Sequence, residues 1–396
     1  MKTLKLICLL ACVLVSGFVF GSCSDNSTDY RYVCVQQKDE DRWSILDLET
    51  GEILCPDEFE NETSVGYEDG ILVAQNKKGK WEYFNVSDPS KFLGEDSYSQ
   101  AAIFEPGCDA TFVVRPDKPI ALINRDFEEI TTLSDDITDV RAFAEGRAPF
   151  CRDGKWGYLD ESGKEVIEAR YDFVSAFRKG YALAFTETKI NLIDKDGKSH
   201  AAFNRNRYTA MGIEVMGDEW LPLQKGDEIV FVDMNGEEKF TSPKMRPSDL
   251  GCYQMFNGKT AFYDGGQYGI IDKEGTVLVK PKYDMLLSLE YDDLYIAEDE
   301  DGYGIINGNG DVIVPLKYDE LYALRKNRFI VSDGEYYMLI NEKGDRLSDK
   351  LDDCSRSKFQ ELYNEDVEEV VEEAAPYVDD SYYDADSVAV AEEYGY

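Results

Sequence analysis

Histidine, the side chain that most often serves as a general base, occurs once in the 396 residues, at His200. A serine or cysteine nucleophile needs such a base beside it, together with a group that orients the base. His200 follows the Asp194 turn in a polar stretch, and no Gly-x-Ser-x-Gly sequence is present. We therefore expect His200 to be a surface residue. A glycosidase needs only two carboxylates, but nothing marks out one pair among 80 acidic residues. We expect no catalytic residues and no enzyme activity.

Metal and cofactor chemistry also lack the usual residue patterns. With one histidine and no CxxC pair, the chain offers no zinc site of a familiar kind. The acidic turns at Asp194-Lys-Asp196-Gly197 and 298–302 resemble hydrated hairpin turns, because the first lacks the remaining ligands of an EF-hand loop. We expect no metal and no cofactor.

Tryptophan side chains could stack on sugars if they were exposed. Trp43, Trp81 and Trp156 occupy one position of a repeat described below, where Ile and Tyr also occur. A position that accepts Ile is a core position, so we expect these three residues to be structural. Trp220 stands outside that phase and is the one tryptophan that we predict as a candidate ligand-binding residue.

The charge of the chain limits its partners. Lys and Arg total 42 against 80 Asp and Glu, a formal net charge of −38. Such a polyanion is repelled by nucleic acid and by anionic lipid, and it favours cationic partners. We therefore expect no nucleic acid, and contact with a membrane only through an attached lipid.

Residues 1–22 have the composition of a secretory signal peptide. Lys2 and Lys5 precede an apolar run over 6–20, which is too short to span a bilayer well, and Gly21-Ser22 precede Cys23. This arrangement resembles the lipobox of bacterial lipoproteins, which implies lipidation of Cys23 and a linker over 23–30. The alternative is an ordinary signal peptide that is cleaved nearby.

The predicted lipid anchor implies a location in the cell envelope. Asp25 resembles the surface-export signal of Bacteroidetes lipoproteins, which favours the outer membrane or the cell surface over the periplasmic face. Beyond Cys23 the six remaining cysteines are widely spread, and we expect most of them to be small buried hydrophobic residues rather than disulfide partners.

A tandem repeat fills residues 31–354. Anchor residues recur every 34 to 39 positions, and in three copies a Tyr-Asp pair begins 15 residues after the anchor. Glycine lies seven positions past most anchors. The nine anchors are Trp43, Trp81, Ile120, Trp156, Ile190, Ile229, Tyr268, Tyr303 and Tyr337. The other predicted repeat-structural residues are Gly157, Gly163, Tyr171, Asp172, Gly275, Tyr283, Asp284, Gly310, Tyr318 and Asp319.

Each repeat reads as a β-meander. Short apolar runs alternate with polar turns, and one recurring turn is Asp/Asn-x-x-Gly, whose first side chain binds backbone N–H groups and whose glycine accepts positive φ. The Tyr-Asp pairs would supply a hydrogen bond between repeats. We predict about nine three-stranded units. One unit cannot bury its own apolar face, so neighbouring units must stack. A propeller-like or toroidal array is favoured, and an open β-solenoid is the alternative.

The Trp156-Gly157 step, with Tyr268-Gly269 and Tyr303-Gly304, resembles the WG-repeat family. The family is β-rich, common in bacterial and often exported proteins, and has no general catalytic activity. The resemblance therefore implies an architecture and says little about function.

The composition changes after Cys354. Apolar residues at helical spacing predict an amphipathic helix over 355–376, and residues 377–396 form an acidic, Tyr-rich tail that we expect to be disordered. The whole sequence favours a non-catalytic, membrane-anchored binding or scaffold lipoprotein that binds an unknown protein partner through its repeats. The alternative is a glycan-binding or carbohydrate-active surface lipoprotein.

Overall fold

The computed structural model describes residues 30–210, 212–213, 216–242 and 254–354. Every regular element in these ranges is a β-strand, so the predicted all-β class is confirmed. The same residues contain no helix long and apolar enough to cross a membrane. The predicted signal segment with Cys23, the predicted helix over 355–376 and the acidic tail lie outside the described residues.

The strands group into one antiparallel set for each repeat unit. Unit 1 contains β1 (Tyr32–Gln37), β2 (Trp43–Asp47) and β3 (Ile53–Phe59), and unit 2 contains β4 (Ile71–Gln75), β5 (Trp81–Asn85) and β6 (Asp88–Tyr98). Unit 3 contains β7 (Gln100–Ala101), β8 (Ala110–Val114), β9 (Ile120–Asn124) and β10 (Glu129–Thr132). Unit 4 contains β11 (Ile137–Val140), β12 (Arg147–Arg152), β13 (Lys155–Asp160) and β14 (Glu165–Tyr171). Unit 5 contains β15 (Phe173–Val174), β16 (Tyr181–Phe185), β17 (Lys189–Asp194) and β18 (Ser199–Asn204). Unit 6 contains β19 (Thr209–Ala210), β20 (Leu221–Lys225), β21 (Glu228–Val232) and β22 (Glu238–Ser242). Unit 7 contains β23 (Lys259–Asp264), β24 (Gln267–Asp272) and β25 (Val277–Tyr283). Unit 8 contains β26 (Met285–Ser288), β27 (Leu294–Asp299), β28 (Gly302–Asn307) and β29 (Val312–Tyr318). Unit 9 contains β30 (Glu320–Arg325), β31 (Arg328–Ser332), β32 (Tyr337–Asn341) and β33 (Leu351–Cys354).

The prediction of three strands per unit is too low for most units. Units 3, 4, 5, 6 and 8 each form a four-stranded sheet, because a short strand directly after the previous unit pairs with the next one. In unit 5 that strand is β15, whose two residues pair with β16. A strand of two residues has no readable alternation of polar and apolar side chains, so its sequence carried no strand signal.

The anchor residue pairs with the tyrosine of the Tyr-Asp pair on the adjacent strand. Trp156 lies opposite Tyr171, whereas Tyr158 lies opposite Ile167, so the outer strand β14 bulges between these pairs. The bulge passes over Gly157, where a Cβ atom would lie 2.3 Å from the carbonyl oxygen of Ile167. The glycine of the Trp-Gly step is therefore required by the close approach of the neighbouring backbone.

Units 7 and 8 repeat this geometry. Tyr268 pairs with Tyr283, and Tyr303 pairs with Tyr318. A Cβ atom at Gly269 or Gly304 would lie 2.4 Å or 2.6 Å from a carbonyl oxygen of the outer strand. The spacing of 15 residues in the sequence is thus the length of chain between two residues that pair across a bulged hairpin.

The Asp/Asn-x-x-Gly turns connect the last two strands of a unit. In unit 4 the carboxylate of Asp160 accepts the N–H groups of Ser162 at 3.0 Å and Lys164 at 3.1 Å, and Gly163 has a φ of +79°. The same pattern of two bonds recurs at Asp194, Asp233, Asp272, Asn307 and Asn341. Gly275 and Gly310 both have a φ of +86°.

The core lies between units rather than within them. One cluster joins Ile229 of unit 6, Tyr268 of unit 7 and Tyr295 of unit 8, all at most 1% exposed. Another cluster joins Leu192 of unit 5 with Leu223 of unit 6. Neighbouring units therefore stack face to face and bury the apolar surface that a single unit would leave exposed.

The first and last units share one sheet of seven strands. β1 pairs with β33, with Val35 opposite Cys354, and the strand order is β3-β2-β1-β33-β32-β31-β30. The described residues all belong to one compact unit of the chain. Hydrogen bonds therefore connect the two ends of the repeat array.

Candidate binding face

The turns immediately before β4, β8, β12, β16, β20, β23, β27 and β31 occupy equivalent places in their units, and we call them the leading turns. Several have two successive residues with positive φ, for example Lys179 (+50°) with Gly180 (+82°) and Asn257 (+52°) with Gly258 (+72°). Two positive φ values are typical of the tight type I′ turn, which continues the twist of the flanking strands. The leading turns with this geometry are therefore compact.

Polar contacts connect successive leading turns, so these turns lie on one side of the array, which we call the turn face. The Gly180 N–H donates to Glu145 at 2.9 Å, between units 5 and 4. The Asn257 N–H donates to Asp218 at 2.8 Å, between units 7 and 6. Lys326 lies 3.1 Å from Asp292, between units 9 and 8.

The leading turns of units 5 to 8 pack together, and we call this region the closed arc. Arg178 of unit 5 forms an ion pair with Glu290 of unit 8, so this contact joins two units that are not neighbours in the sequence. The side chain of Arg178 is 5% exposed, and that of Glu290 is 25% exposed. Lys179 donates to the carbonyl oxygen of Gly217 at 3.0 Å and lies 4.8 Å from the ring centre of Phe256. Side chains of units 5 to 8 therefore contact one another among these four turns.

The turns of units 9, 1, 2 and 3 instead border a cavity of about 720 Å³, and we call this region the open arc. Ligand sites in proteins commonly have volumes of about 300–1,000 Å³. The lining residues are Glu49, Tyr67, Glu68, Asp69, Pro106, Gly107, Arg125, Arg325, Lys326, Asn327, Arg328 and Glu342. The cavity thus lies beside the sheet that joins the first unit to the last.

Side chains of both signs line this cavity. Unit 9 contributes three basic residues and Glu342, units 1 and 2 contribute Glu49 together with 68–69, and unit 3 contributes Arg125. Arg325 binds Glu49 at 2.8 Å and Glu68 at 2.6 Å, and Arg125 forms an ion pair with Asp69. The hydrogen bond from Arg31, which is the largest contribution, and those from Arg325 hold the pKa of Glu68 below its usual value.

The base of this region is buried. Tyr67, 9% exposed, stacks on Tyr30 with the ring centres 5.2 Å apart. Its hydroxyl donates to Glu105 at 2.9 Å, and Glu105 is 7% exposed. Burial raises the pKa of Tyr67 well above its ordinary value, so this hydroxyl remains a donor at physiological pH.

The predicted candidate residues lie elsewhere. Trp220 is partly buried, its ring centre lies 6.4 Å from that of Phe231, and it packs on the cluster of units 6 to 8. His200 is also partly buried. Its Nε2 atom lies 2.7 Å from Asp194, and this hydrogen bond lowers the pKa of Asp194. Neither residue lines the cavity.

The anchors differ in burial. Trp43 is 6% exposed and Tyr268 is fully buried, whereas Trp81, Trp156 and Tyr303 are partly buried. The guanidinium of Arg141 lies 4.2 Å from the ring centre of Trp156 and 4.6 Å from that of Phe173 in unit 5. Trp156 therefore contacts the neighbouring unit through a cation–π arrangement.

The Tyr-Asp pairs connect neighbouring units through the backbone. The N–H groups of Asp172, Asp284 and Asp319 donate to carbonyl oxygens of the next unit at 2.8–2.9 Å. Tyr171, Tyr283 and Tyr318 are all buried. The hydrogen bond between units thus comes from the backbone of the Asp rather than from its side chain.

The described cysteines are free and mostly buried. Cys34, Cys108, Cys151 and Cys354 are buried and Cys55 is partly buried, in line with the expectation that most are small apolar residues. Burial raises the pKa of Cys34 to about 12. Among the described residues no group of His, Cys, Asp and Glu side chains has an arrangement that would hold a metal ion.

Sequence reasoning missed the cavity residues because Glu49, Glu68 and Arg325 form no motif. The glycine after the anchor gives no signal either. It is absent in the four units that border the cavity, but also in units 5 and 6, where Asn191 and Val230 follow the anchors.

Comparison with protein families gives a match to the WG containing repeat over residues 122–156, 156–186, 268–302 and 303–337. Four segments of the chain are WG-type repeats. This confirms the resemblance at Trp156, Tyr268 and Tyr303. The matched segments cover less than half of the chain. Curated protein sequences give no match.

A solved structure shares the fold at low sequence identity. The crystal structure of a eukaryotic initiation factor has a TM-score of 0.54 and 7% identity, covering 82% of this chain and 97% of that chain. Two others have TM-scores too low to support an argument. They are dihydro-heme d1 dehydrogenase NirN (0.42, 10% identity, 84% and 75% covered) and BamB from Moraxella catarrhalis (0.38, 12% identity, 70% and 90% covered).

Proposed function

We propose that this protein is a non-catalytic binding or scaffold lipoprotein of the bacterial cell envelope, which binds a partner protein through the open arc of its turn face. The observation that carries the proposal is the cavity of about 720 Å³ bordered by turns of four different units. A binding surface built from loops on a rigid β-scaffold is a common arrangement, because loops vary without disturbing the sheets. WG-type repeats also carry no assigned catalytic activity.

We propose further that the nine units close into a propeller-like ring rather than an open solenoid. In unit 5 the strand order is β15-β16-β17-β18, and around unit 1 it is β33-β1-β2-β3. The last described strand thus stands where the short first strand stands in other units. Such pairing of the two chain ends supports a closed array, since an open solenoid leaves its terminal units apart.

Membrane anchoring depends on the sequence before residue 30. The Gly21-Ser22-Cys23 step supports lipidation of Cys23, and lipid chains would hold the repeats at the outer membrane or the cell surface. Metabolic labelling with a fatty acid tests this directly. The wild type should incorporate the label, whereas the Cys23→Ser protein should not. Label in both proteins, or in neither, would contradict the anchor.

The binding role is tested by affinity capture from intact envelopes with the lipid-anchored protein as bait, followed by mass spectrometry. Protease accessibility on whole cells accompanies the capture. A specific, reproducible partner together with cleavage at the surface supports an outward-facing scaffold. Absence of any specific partner would contradict the proposal, and protection from protease would place the protein on the periplasmic side.

Glycan binding is the second hypothesis that the sequence raised. It needs an exposed aromatic ring, and Trp220 was its candidate. Within the described residues every tryptophan and tyrosine is buried or partly buried, and the exposed aromatic ring is that of Phe92, a residue without a polar group on its ring. We therefore place protein binding first, and a glycan array with the full chain would separate the two hypotheses.

A further inference from the structure

Large hydrophobic side chains that are exposed to solvent concentrate on two outer strands. Among the described residues six such side chains are exposed, and four of them lie on β25 and β29. They are the first two residues of each strand: Val277 (47% exposed) and Leu278 (37%) on β25, and Val312 (55%) and Ile313 (36%) on β29. Exposed apolar side chains that are grouped together commonly mark an interaction surface.

The two exposed pairs lie beside each other. The turn that leads into β29 packs on β25, because a Cβ atom at Gly310 would lie 3.0 Å from the side chain of Val279. Val279 directly follows Leu278, and Val312 follows Gly310 by two residues. The four exposed side chains therefore form one surface, which we call the apolar rim.

The strands of the apolar rim also limit the kind of contact that it can make. β25 and β29 are each the last strand of their sheet, so the outer edge of each pairs with no strand among the described residues. Pro281 lies within β25 and Pro315 within β29. Proline has no N–H group to donate, and it hinders the addition of a further strand to a sheet edge. The apolar side chains, rather than a continued sheet, must therefore carry a contact here.

The apolar rim belongs to strands without negative charge. β25 and β29 contain Lys280, Lys282 and Lys317 and no acidic residue, and the next acidic residues, Asp284 and Asp319, follow after the strands end. Within the described residues these three lysines form no ion pair. A chain with a net charge of −38 repels a second copy of itself. At the apolar rim this repulsion is locally relieved.

Opposite charges lie at the two ends of the apolar rim. Asp311 directly precedes β29, and Lys317 is the residue before the last in that strand. Unit 7 has the same order, because Asp272 and Glu274 outnumber Lys273 before β25, whereas its other two lysines lie in the second half of the strand. A two-fold axis through the rim turns one copy end for end against the other. The acidic end of each copy then faces the basic end of its partner.

We propose that this protein self-associates through the apolar rim, with a second copy of the chain related to the first by a two-fold axis. The apolar side chains form the centre of the contact, and the charged residues at the two ends determine its orientation. The cavity of the open arc is lined by residues of other units, so this inference does not depend on the proposed function.

Photo-crosslinking of the full chain in intact cells tests the inference. A photo-reactive amino acid replaces Thr276, an exposed residue directly before β25, and two differently tagged copies are produced in the same cells. We expect a crosslinked product that contains both tags. The matched position is Glu128, which is exposed and directly precedes β10 of unit 3, and we expect no such product there. No product at position 276, a product with a different protein instead of the second copy, or equal yields at the two positions would overturn the inference.

Variants of the rim locate the contact. Val312→Glu should lower the yield of the product about tenfold, because it brings an unpaired carboxylate into the apolar centre of the contact. The matched control is Ile130→Glu, at an exposed apolar residue of the outer strand β10, which should leave the yield unchanged. Thermal unfolding checks that both variants are folded. Equal yields in the two variants would overturn the inference.

Exchange of charges tests the two-fold arrangement. Lys317→Asp and Asp311→Lys each bring like charges together between the copies, and each should lower the yield about fivefold. The double variant restores opposite charges at both ends, so its yield should return to that of the wild type. Losses that add in the double variant would overturn the two-fold arrangement.

Discussion

The closed arc and the open arc are built from the same repeat and differ in how their turns meet. In the closed arc the leading turns of units 5 to 8 pack together around the ion pair of Arg178 and Glu290. In the open arc the turns of units 9, 1, 2 and 3 border a cavity lined by charged side chains. The glycine after the anchor does not separate the two arcs, because units 7 and 8 keep it whereas units 5 and 6 lack it, as do the four units of the open arc. The same strands thus support both a packed and an open set of turns, because turns can vary without disturbing the sheets that carry them.

The largest expected effect is at the contact between Arg178 and Glu290. Arg178→Gln leaves a partly buried carboxylate without its guanidinium, and we expect a loss of about 3 kcal/mol in the free energy of unfolding. Urea denaturation followed by tryptophan fluorescence measures it. A loss no larger than that of an exposed ion pair would show that the closed arc is not held by this contact.

A smaller loss of stability is expected when Gly269 is replaced by alanine. Alanine there would place its Cβ atom 2.4 Å from the carbonyl oxygen of Val279, so the bulged strand must shift, at a cost of about 2 kcal/mol. The matched control is Glu82→Ala, at the same repeat position in the open arc, which removes only a hydrogen bond to Asn76. Equal losses of stability in the two variants would show that the close approach of the outer strand at Gly269 does not require glycine.

The ion pairs of Arg325 should contribute less to the free energy of unfolding than the ion pair of Arg178. Its partners Glu49 and Glu68 are 48% and 57% exposed, so water and salt screen both pairs. We expect Arg325→Gln to cost at most about 1 kcal/mol, and to cost less at high salt. Denaturation at two salt concentrations checks this, and a large loss independent of salt would contradict it.

The smallest effect concerns pH. The folded-state pKa of Glu68 lies below its unfolded value of 4.5, chiefly because Arg31 donates a hydrogen bond to it. Its contribution to stability is therefore present above pH 4.5 and is lost as pH falls through the folded pKa. The stability difference between wild type and Glu68→Gln should shrink below pH 4.5. A difference that grows at low pH would reverse the sign of this interaction.

The local geometry of each unit was predictable from the sequence, because it depends on neighbours in the chain. The 15 residues between Trp156 and Tyr171 span one bulged hairpin, and the turn at Asp160 closes over four residues. Both features leave a fixed spacing in the sequence. The family match over 268–302 and 303–337 falls on the units where this spacing is clearest.

Contacts between distant residues were not predictable. Val35 and Cys354 pair although they lie at opposite ends of the array. No regular spacing in the sequence predicts that these two residues pair. Arg178 and Glu290 are separated by two whole units. The short strand β15 and the partial burial of Trp220 likewise depend on the tertiary packing of neighbouring units, which a single sequence does not specify.

The most direct test of the open arc as the binding face compares three baits in the same capture from intact envelopes. They are the wild type, the double variant Lys326→Gln/Arg328→Gln in the open arc, and Lys179→Gln in the closed arc, each shown to be folded by its thermal unfolding. Our account predicts that the partner is retained by the wild type and by Lys179→Gln and is lost from the double variant. Capture that is unchanged in the double variant, or lost from Lys179→Gln alone, would contradict it.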